Sequence, residues 1–324
     1  MLPPWVAASL PVSGVLRHAV LLLFGVVALY AGAELLVAGA GRLAIGFGLR
    51  TATVGVTVIA FATTAPELFV STIGAIDVST DIGLGAVVGS NVANIGLVLG
   101  VSALITPLTI TEIAMKRHVP FMVLAAVLLV GLGLDGAIGR LDGAILLLVL
   151  AGFTAYLLYY VNADPAPSVD HPDAGNGITI RDVGLVIGGL LALVIGSRWL
   201  VSGGTGLLSE LGFSDLFIGL TVLAVGTSLP ELAASVVGAI RGETAFAVGN
   251  VVGSNIYNVL AVLGIVALIT PISISSSTLR FELPVMIAFT VVLVAMMGYG
   301  GRLSRPDGAA LVVGYVAFVY GLLP

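Results

Sequence analysis

Long apolar stretches recur along almost the whole chain of 324 residues. They run from about residue 16 to residue 323, and many hold 18 or more residues, enough for a helix to cross a hydrocarbon core of about 30 Å. Only 9% of the residues are charged, against roughly 25% in soluble domains. Because lipid is the solvent that suits such a surface, the sequence predicts an all-α polytopic membrane protein with no soluble domain.

About ten transmembrane helices are predicted, in two five-helix membrane repeats joined by a short linker. The first repeat covers 16–161, the linker 162–181 and the second repeat 182–323. The linker is rich in Asp and Pro, which favour an irregular, flexible segment. The predicted spans are 16–43, 49–76, 82–106, 118–134, 141–161, 182–209, 214–240, 244–270, 282–299 and 307–323.

The two repeats become visible when the chain is compared with itself at an offset of 164 residues. Segments 55–76 and 219–240 are identical at 12 of 22 positions, and segments 85–100 and 249–264 at 10 of 16. With an odd number of spans in each copy, the second copy enters the membrane from the opposite side. The sequence therefore predicts the inverted-repeat architecture of many secondary transporters.

Several classes of function are excluded or unsupported. The chain has no cysteine, which excludes disulfides, thiolate metal sites and cysteine nucleophiles. Its net charge of −5, spread over short loops, offers no basic surface for nucleic acid. Walker, GxSxG and HExxH motifs are absent, so we expect neither an enzyme nor a bound cofactor. The expected partners are transported ions and the lipid bilayer, with no obligate protein partner evident.

Two glutamates lie about midway through predicted spans, Glu67 in TTAPE and Glu231 in TSLPE. Carboxylates inside a bilayer are costly and persist mainly where they face a cavity or bind something. The proline before each glutamate is expected to break the helix and to free carbonyls, such as those of Ala60 and Ala224, for a cation. In the alternative, the prolines only kink their helices and the glutamates are neutral packing residues. Their occurrence at equivalent repeat positions favours an ion site.

A second duplicated motif, GSN-x-x-N, adds neutral oxygens. Its Ser and last Asn lie four residues apart on one helical face, where a hydroxyl and an amide oxygen can act as ligands. Bonding between helices is the alternative for these side chains, and it has most weight for the middle asparagines, Asn91 and Asn255. Hydroxyls one turn before each glutamate can bind a cation or satisfy freed carbonyls. The candidate neutral ligands are Ser90, Asn94, Ser254, Asn258, Thr63, Thr64, Thr227 and Ser228.

This ligand set consists of oxygen atoms, which suits a hard cation such as Ca²⁺ or Na⁺. The duplicated motifs resemble the α-repeats of the cation/Ca²⁺ exchanger superfamily, in particular its prokaryotic sodium/calcium exchangers. The resemblance covers essentially the whole chain. It implies four clustered cation sites, with Glu67 and Glu231 as central ligands, the eight neutral side chains around them, and Ala60 and Ala224 lending carbonyls.

Two positions depart from the family pattern. Ala62 stands where the motif usually has Gly, which implies a less pliable break in the first repeat. Asn258 stands where several exchangers, including K⁺-dependent ones, have Asp. The site therefore has two carboxylates and not three, which argues against K⁺ co-transport.

The expected function is secondary active antiport of Ca²⁺ for Na⁺ across the cell membrane by alternating access. A Ca²⁺/H⁺ antiporter is the main alternative. A cation channel is less favoured, because an inverted pair within one chain provides a gate for each side. Eight Lys and Arg residues fall in the loops on one side and three on the other, which predicts both termini outside and the linker in the cytoplasm.

One further pair of charges lies inside predicted spans. Glu34 in the first span and Arg198 in the sixth occupy equivalent positions at the offset of 164. Two interpretations stay open: an ion pair between these spans, or side chains that each extend to water.

Overall fold

Helices make up nearly all of the structure. The computed structural model describes residues 14–47, 53, 55–64, 67–68, 71–72, 80–163, 179–211, 226 and 228–322. The helices are α1 (Gly14–Phe47), α2 (Gly55–Ile59 and Ala60–Thr63), α3 (Thr80–Ala93, Asn94–Leu99 and Gly100–Ile105), α4 (Ala114–Asp135), α5 (Arg140–Ala163), α6 (Ile180–Glu210), α7 (Leu229–Ile240), α8 (Thr244–Ile269), α9 (Thr278–Gly298) and α10 (Arg305–Gly321).

Each predicted span coincides with one of these helices over its described part. Within the described residues, seven helices are long and apolar enough to cross a membrane, and α7 is a shorter apolar helix. Most of the predicted linker, residues 164–178, lies outside the described residues. The prediction of an all-α polytopic membrane protein is confirmed. It could be made from the sequence because the length of an apolar run determines where a helix can span the membrane.

The helix interruptions repeat at the same offset as the sequence. Wide, π-helical turns occur at Asn94–Leu99 in α3 and at Asn258–Leu263 in α8. Such turns are rare and often lie at functional sites. Each begins at the last asparagine of GSN-x-x-N, so the motif marks a change of helical register that hydropathy does not reveal.

In the described part of the chain, four two-residue strands, which the sequence did not predict, join the two halves. Strand β1 (Leu108–Thr109) pairs antiparallel with β4 (Arg302–Leu303), and β2 (Ala137–Ile138) pairs antiparallel with β3 (Ile272–Ser273). Six helices separate β1 from β4 and four separate β2 from β3. Even numbers of crossings place paired strands on the same side of the membrane, as the inverted topology requires.

Helices α1 and α6 pack against each other along a seam of glycines spaced seven residues apart. A Cβ atom added at Gly189 would lie 2.7 Å from the backbone nitrogen of Leu36 and 2.8 Å from the carbonyl oxygen of Gly32. Helices approach this closely in membranes when small residues line the contact. The seam glycines, which are equivalent in the two repeats, are Gly25, Gly32 and Gly39 in α1 and Gly189, Gly196 and Gly203 in α6.

Glu34 forms its ion pair with Arg241, at the end of α7, and not with Arg198. The side chain of Arg198 is exposed. Equivalence under the repeat gives two residues matching positions but does not make them neighbours. The pair therefore links α1 to α7, the helix that carries Glu231.

Candidate cation-binding site

Glu231 lies at the start of helix α7. The helix begins at Leu229, with Pro230 in its first turn, where the missing N–H of proline costs no helical hydrogen bond. The first N–H groups of a helix and its dipole favour a carboxylate there. Glu231 is fully buried. Its carboxylate therefore lies inside the protein, in the first turn of the helix that begins beside the proline.

Glu67 occupies the equivalent place in the first repeat. Helix α2 ends at Thr63, Thr64 forms a turn, and the chain is helical again at Glu67. Glu67 is also buried, and its carboxyl group is close enough to that of Glu231 for the two charges to repel. The structure thus brings together the two glutamates singled out from the sequence.

Oxygen atoms of both repeats surround these carboxylates. The hydroxyls of Thr63 and Ser254 approach the carboxylate of Glu231 without reaching hydrogen-bonding geometry. Helix α2 packs tightly on α8: a Cβ atom added at Gly253 would lie 2.7 Å from the carbonyl oxygen of Val56. Only glycine allows so short a distance, and it places Ser254 next to the broken helix.

Nine buried side-chain oxygens of the predicted ligands have no hydrogen-bond partner among the described residues: both carboxylate oxygens of each glutamate and one oxygen from each of five neutral residues. Unpaired buried oxygens are costly unless something pairs with them, so this group of oxygens favours a candidate cation site. The five neutral residues are Thr64, Ser228, Ser254, Asn94 and Asn258.

Four more of the predicted ligands differ in whether they are described and in what they contact. Ser90 is buried in α3 and has a polar contact. Thr63 is buried and its hydroxyl lies 3.5 Å from Asn250 Oδ1. Thr227 and Ala224 lie outside the described residues.

The expectation of a free carbonyl at Ala60 is corrected by the structure. Its oxygen accepts the backbone N–H of Thr64 at 3.0 Å and the hydroxyl of Thr63 at 3.3 Å. The reason is the helical register: a proline at position 66 withholds an N–H from the carbonyl four residues earlier, which belongs to Ala62. Ala60 remains at the site, fully buried, with its carbonyl engaged.

Other polar residues here were not singled out from the sequence. Asn250 has Ala86 as its repeat equivalent, and its amide donates to Ser235 Oγ at 3.1 Å. The hydroxyl of Ser197 in α6 donates to the carbonyl oxygen of Gly226 at 2.7 Å. Gly226 is four residues before Pro230, so this carbonyl is one that the proline leaves without a helical donor. The sequence held one signal for Asn250: it is a polar residue within an apolar span whose equivalent in the first repeat is not polar.

The asparagines of the two GSN-x-x-N motifs bond across the repeats. Asn94 Nδ2 donates to Asn255 Oδ1 at 3.2 Å, and Asn258 Nδ2 donates to Asn91 Oδ1 at 3.4 Å. Asn91 and Asn255 therefore do bond helix to helix, the alternative that had most weight for them.

Two buried carboxylates, one from each inverted repeat and both at helix starts or breaks beside a proline, are typical of a secondary transporter of cations. A family model described as sodium/calcium exchanger protein matches residues 17–159 and 182–323. The chain belongs to this family. It is an antiporter that exchanges Ca²⁺, and it is not an enzyme.

Full-length relatives and a solved structure support this assignment. The putative antiporter CaxA of Alkalimonas amylolytica is 35% identical, over 93% of this chain and 97% of the relative. The sodium/calcium exchanger MaX1 of Methanosarcina acetivorans is 32% identical, over 92% and 96%. A structure of the sodium-calcium exchanger NCX_Mj superposes with a TM-score of 0.81 and 30% identity, covering 95% of this chain and all of that one.

Proposed function

We propose that this protein exchanges Ca²⁺ for Na⁺ across the cell membrane by alternating access. The observation that carries the proposal is the pair Glu67 and Glu231, both buried, whose carboxylate oxygens have no hydrogen-bond partner within the described ranges. Two carboxylates neutralise one Ca²⁺, and Ca²⁺ takes six to eight oxygen ligands. The same oxygens can hold Na⁺ once Ca²⁺ has left, so the two ions occupy the site in turn.

The site residues proposed are those of the duplicated motifs. The carboxylates act as ligands for both Ca²⁺ and Na⁺. The hydroxyl and amide oxygens complete the coordination of the monovalent Na⁺. The similarity to exchangers whose names specify sodium and calcium supports Na⁺ as the counter-ion.

Exchange is expected to be electrogenic. Because the carboxylates already balance one Ca²⁺, more than two Na⁺ ions held on the neutral oxygens add net positive charge to the carrier. In purified protein reconstituted in liposomes, a Na⁺ gradient at fixed pH should drive Ca²⁺ uptake without K⁺, and the rate should change with a clamped membrane potential. Failure of the Na⁺ gradient to drive uptake would refute the Na⁺ assignment; voltage-independent uptake would refute only the stoichiometry.

A Ca²⁺/H⁺ antiporter is the second candidate, favoured by one observation. Asn258 contributes no charge, so the site has two carboxylates, and two protons per Ca²⁺ would empty it with no net charge moved. The same liposomes distinguish this case, because a pH gradient without Na⁺ would then drive uptake. A channel would instead give single-channel currents and flux without a counter-ion.

Both termini are proposed to face outward and the linker 162–181 to face the cytoplasm. The chain has no thiol, so single cysteines report the side of the membrane directly. We expect Ser168→Cys to resist an impermeant maleimide in intact cells, whereas Leu134→Cys, 72% exposed in the last turn of α4, should react. The reverse pattern would overturn the orientation, and reaction of both after permeabilisation is the control.

A further inference from the structure

The cross-repeat asparagine pairs continue outward to two buried methionines. Asn91 Nδ2 lies 3.8 Å from Met286 Sδ, and Asn255 Nδ2 lies 3.9 Å from Met122 Sδ. Met122 and Met286 are equivalent at the offset of 164, as are the asparagines. The same chain of contacts, from methionine to asparagine to asparagine, is therefore built twice, each time with members from both repeats.

These contacts favour one of the two orientations of each amide. The thioether sulfur of methionine is an acceptor only, so it takes the NH₂ end of Asn91 or Asn255. The amide oxygen of that residue then points to its partner and takes the NH₂ end of Asn258 or Asn94. What remains is the amide oxygen of Asn94 and of Asn258, each buried and without a partner in the part of the chain that the structure describes.

The opposite orientation would be unsuitable for a cation site. If both amides of one chain of contacts turned over, an amide oxygen would face the sulfur and the NH₂ group of Asn258 would take the place of its unpaired oxygen. An NH₂ group repels a cation, and turning over would also satisfy the oxygen of Asn258 when no ion is bound. The sulfur opposes this, because a thioether cannot donate to the amide oxygen that would then face it, and a buried oxygen left without a donor is costly.

We propose that Asn91 with Met286, and Asn255 with Met122, are positioning residues that hold the amide oxygens of Asn258 and Asn94 toward the transported cation. They do not touch the ion themselves. This inference rests on the proposed cation site but not on the identity of the counter-ion.

A double-mutant cycle tests the proposal. Met286→Leu keeps the volume of the side chain and removes the acceptor, so we expect the apparent Kd for Ca²⁺ to rise about tenfold. In an Asn258→Asp background the same substitution should change the Kd less than about twofold, because a carboxylate has no NH₂ end to turn inward. Met297→Leu, the same change at a buried methionine of the same helix α9, is the control and should leave the Kd unchanged.

Ca²⁺ affinity is measured from the Ca²⁺-dependent rise in melting temperature of purified protein, so the result does not depend on transport. A packing role for Met286 would give equal changes in the two backgrounds, and that result would overturn the proposal. Loss of Ca²⁺ binding in Asn258→Asp would also overturn it, since a carboxylate oxygen there should still coordinate. Normal Ca²⁺ binding by the wild type with no Na⁺-driven uptake would refute the proposed function alone.

Discussion

Substitution of Glu67 or Glu231 by glutamine should abolish Ca²⁺ exchange while the protein still inserts and folds. Each glutamine removes one formal charge that faces a divalent cation inside the protein. At an effective dielectric constant of about 20, a pair of unit charges 4 Å apart interacts by about 4 kcal/mol, and the double charge of Ca²⁺ raises this to about 8 kcal/mol, so the loss in affinity should exceed roughly a thousandfold. Uptake of ⁴⁵Ca²⁺ into proteoliposomes, per mole of reconstituted protein, measures the effect.

Melting temperatures separate a ligand role from a structural one. A neutral amide is cheaper to bury than a carboxylate, so without Ca²⁺ the two variants should melt at or above the wild-type temperature. The stabilisation that the wild type gains from Ca²⁺ should disappear. Glu112→Gln, on an exposed glutamate paired with Lys116, is the matched control and should transport normally. Near-normal uptake by either site variant would refute the two-carboxylate site.

Gly189→Leu should have the second largest effect, through the seam between α1 and α6. The new side chain would meet backbone atoms of Gly32 and Leu36 at less than 3 Å, and backbone atoms of two packed helices cannot move aside singly. Overpacking of this kind costs about 1 to 3 kcal/mol. We expect a lower melting temperature and loss of uptake.

Gly188, next to Gly189 in α6, provides the control. Among the described residues, no atom outside the local helix lies within 4 Å of a Cβ atom added at Gly188. Gly188→Leu therefore changes the same helix by the same side chain without entering the seam, and it should keep most activity. Equal losses in the two variants would show that leucine harms α6 by itself and that the seam has no special role.

The spans and the repeat could be predicted because they depend on local properties. A run of apolar residues long enough to cross lipid must be a helix, and the identity of two segments is visible without any contact. A helix break beside Glu231 was expected from Pro230, whose chemistry acts on the nearest turn, and helix α7 begins there, at Leu229. The site was predictable to the extent that its residues belong to duplicated motifs.

The features that sequence reasoning missed depend on contacts between distant parts of the chain. Two-residue strands are too short to show an alternating pattern, so β1 to β4 left no signal of their own. The ion pair of Glu34 with Arg241 joins positions that no periodicity relates. The orientation of the Asn91 amide is set by Met286, a residue that reads as ordinary apolar packing until its neighbour is known.

The strand pairs also constrain how the protein is made. Strand β1 emerges from the ribosome long before β4, and β2 before β3, yet each needs its later partner for its backbone hydrogen bonds. Strands β1 and β2 therefore remain unpaired while the C-terminal half of the chain is synthesised. Biogenesis should thus end with a late docking event, and a chain interrupted after α5 would be left with exposed edges for quality-control proteases to recognise.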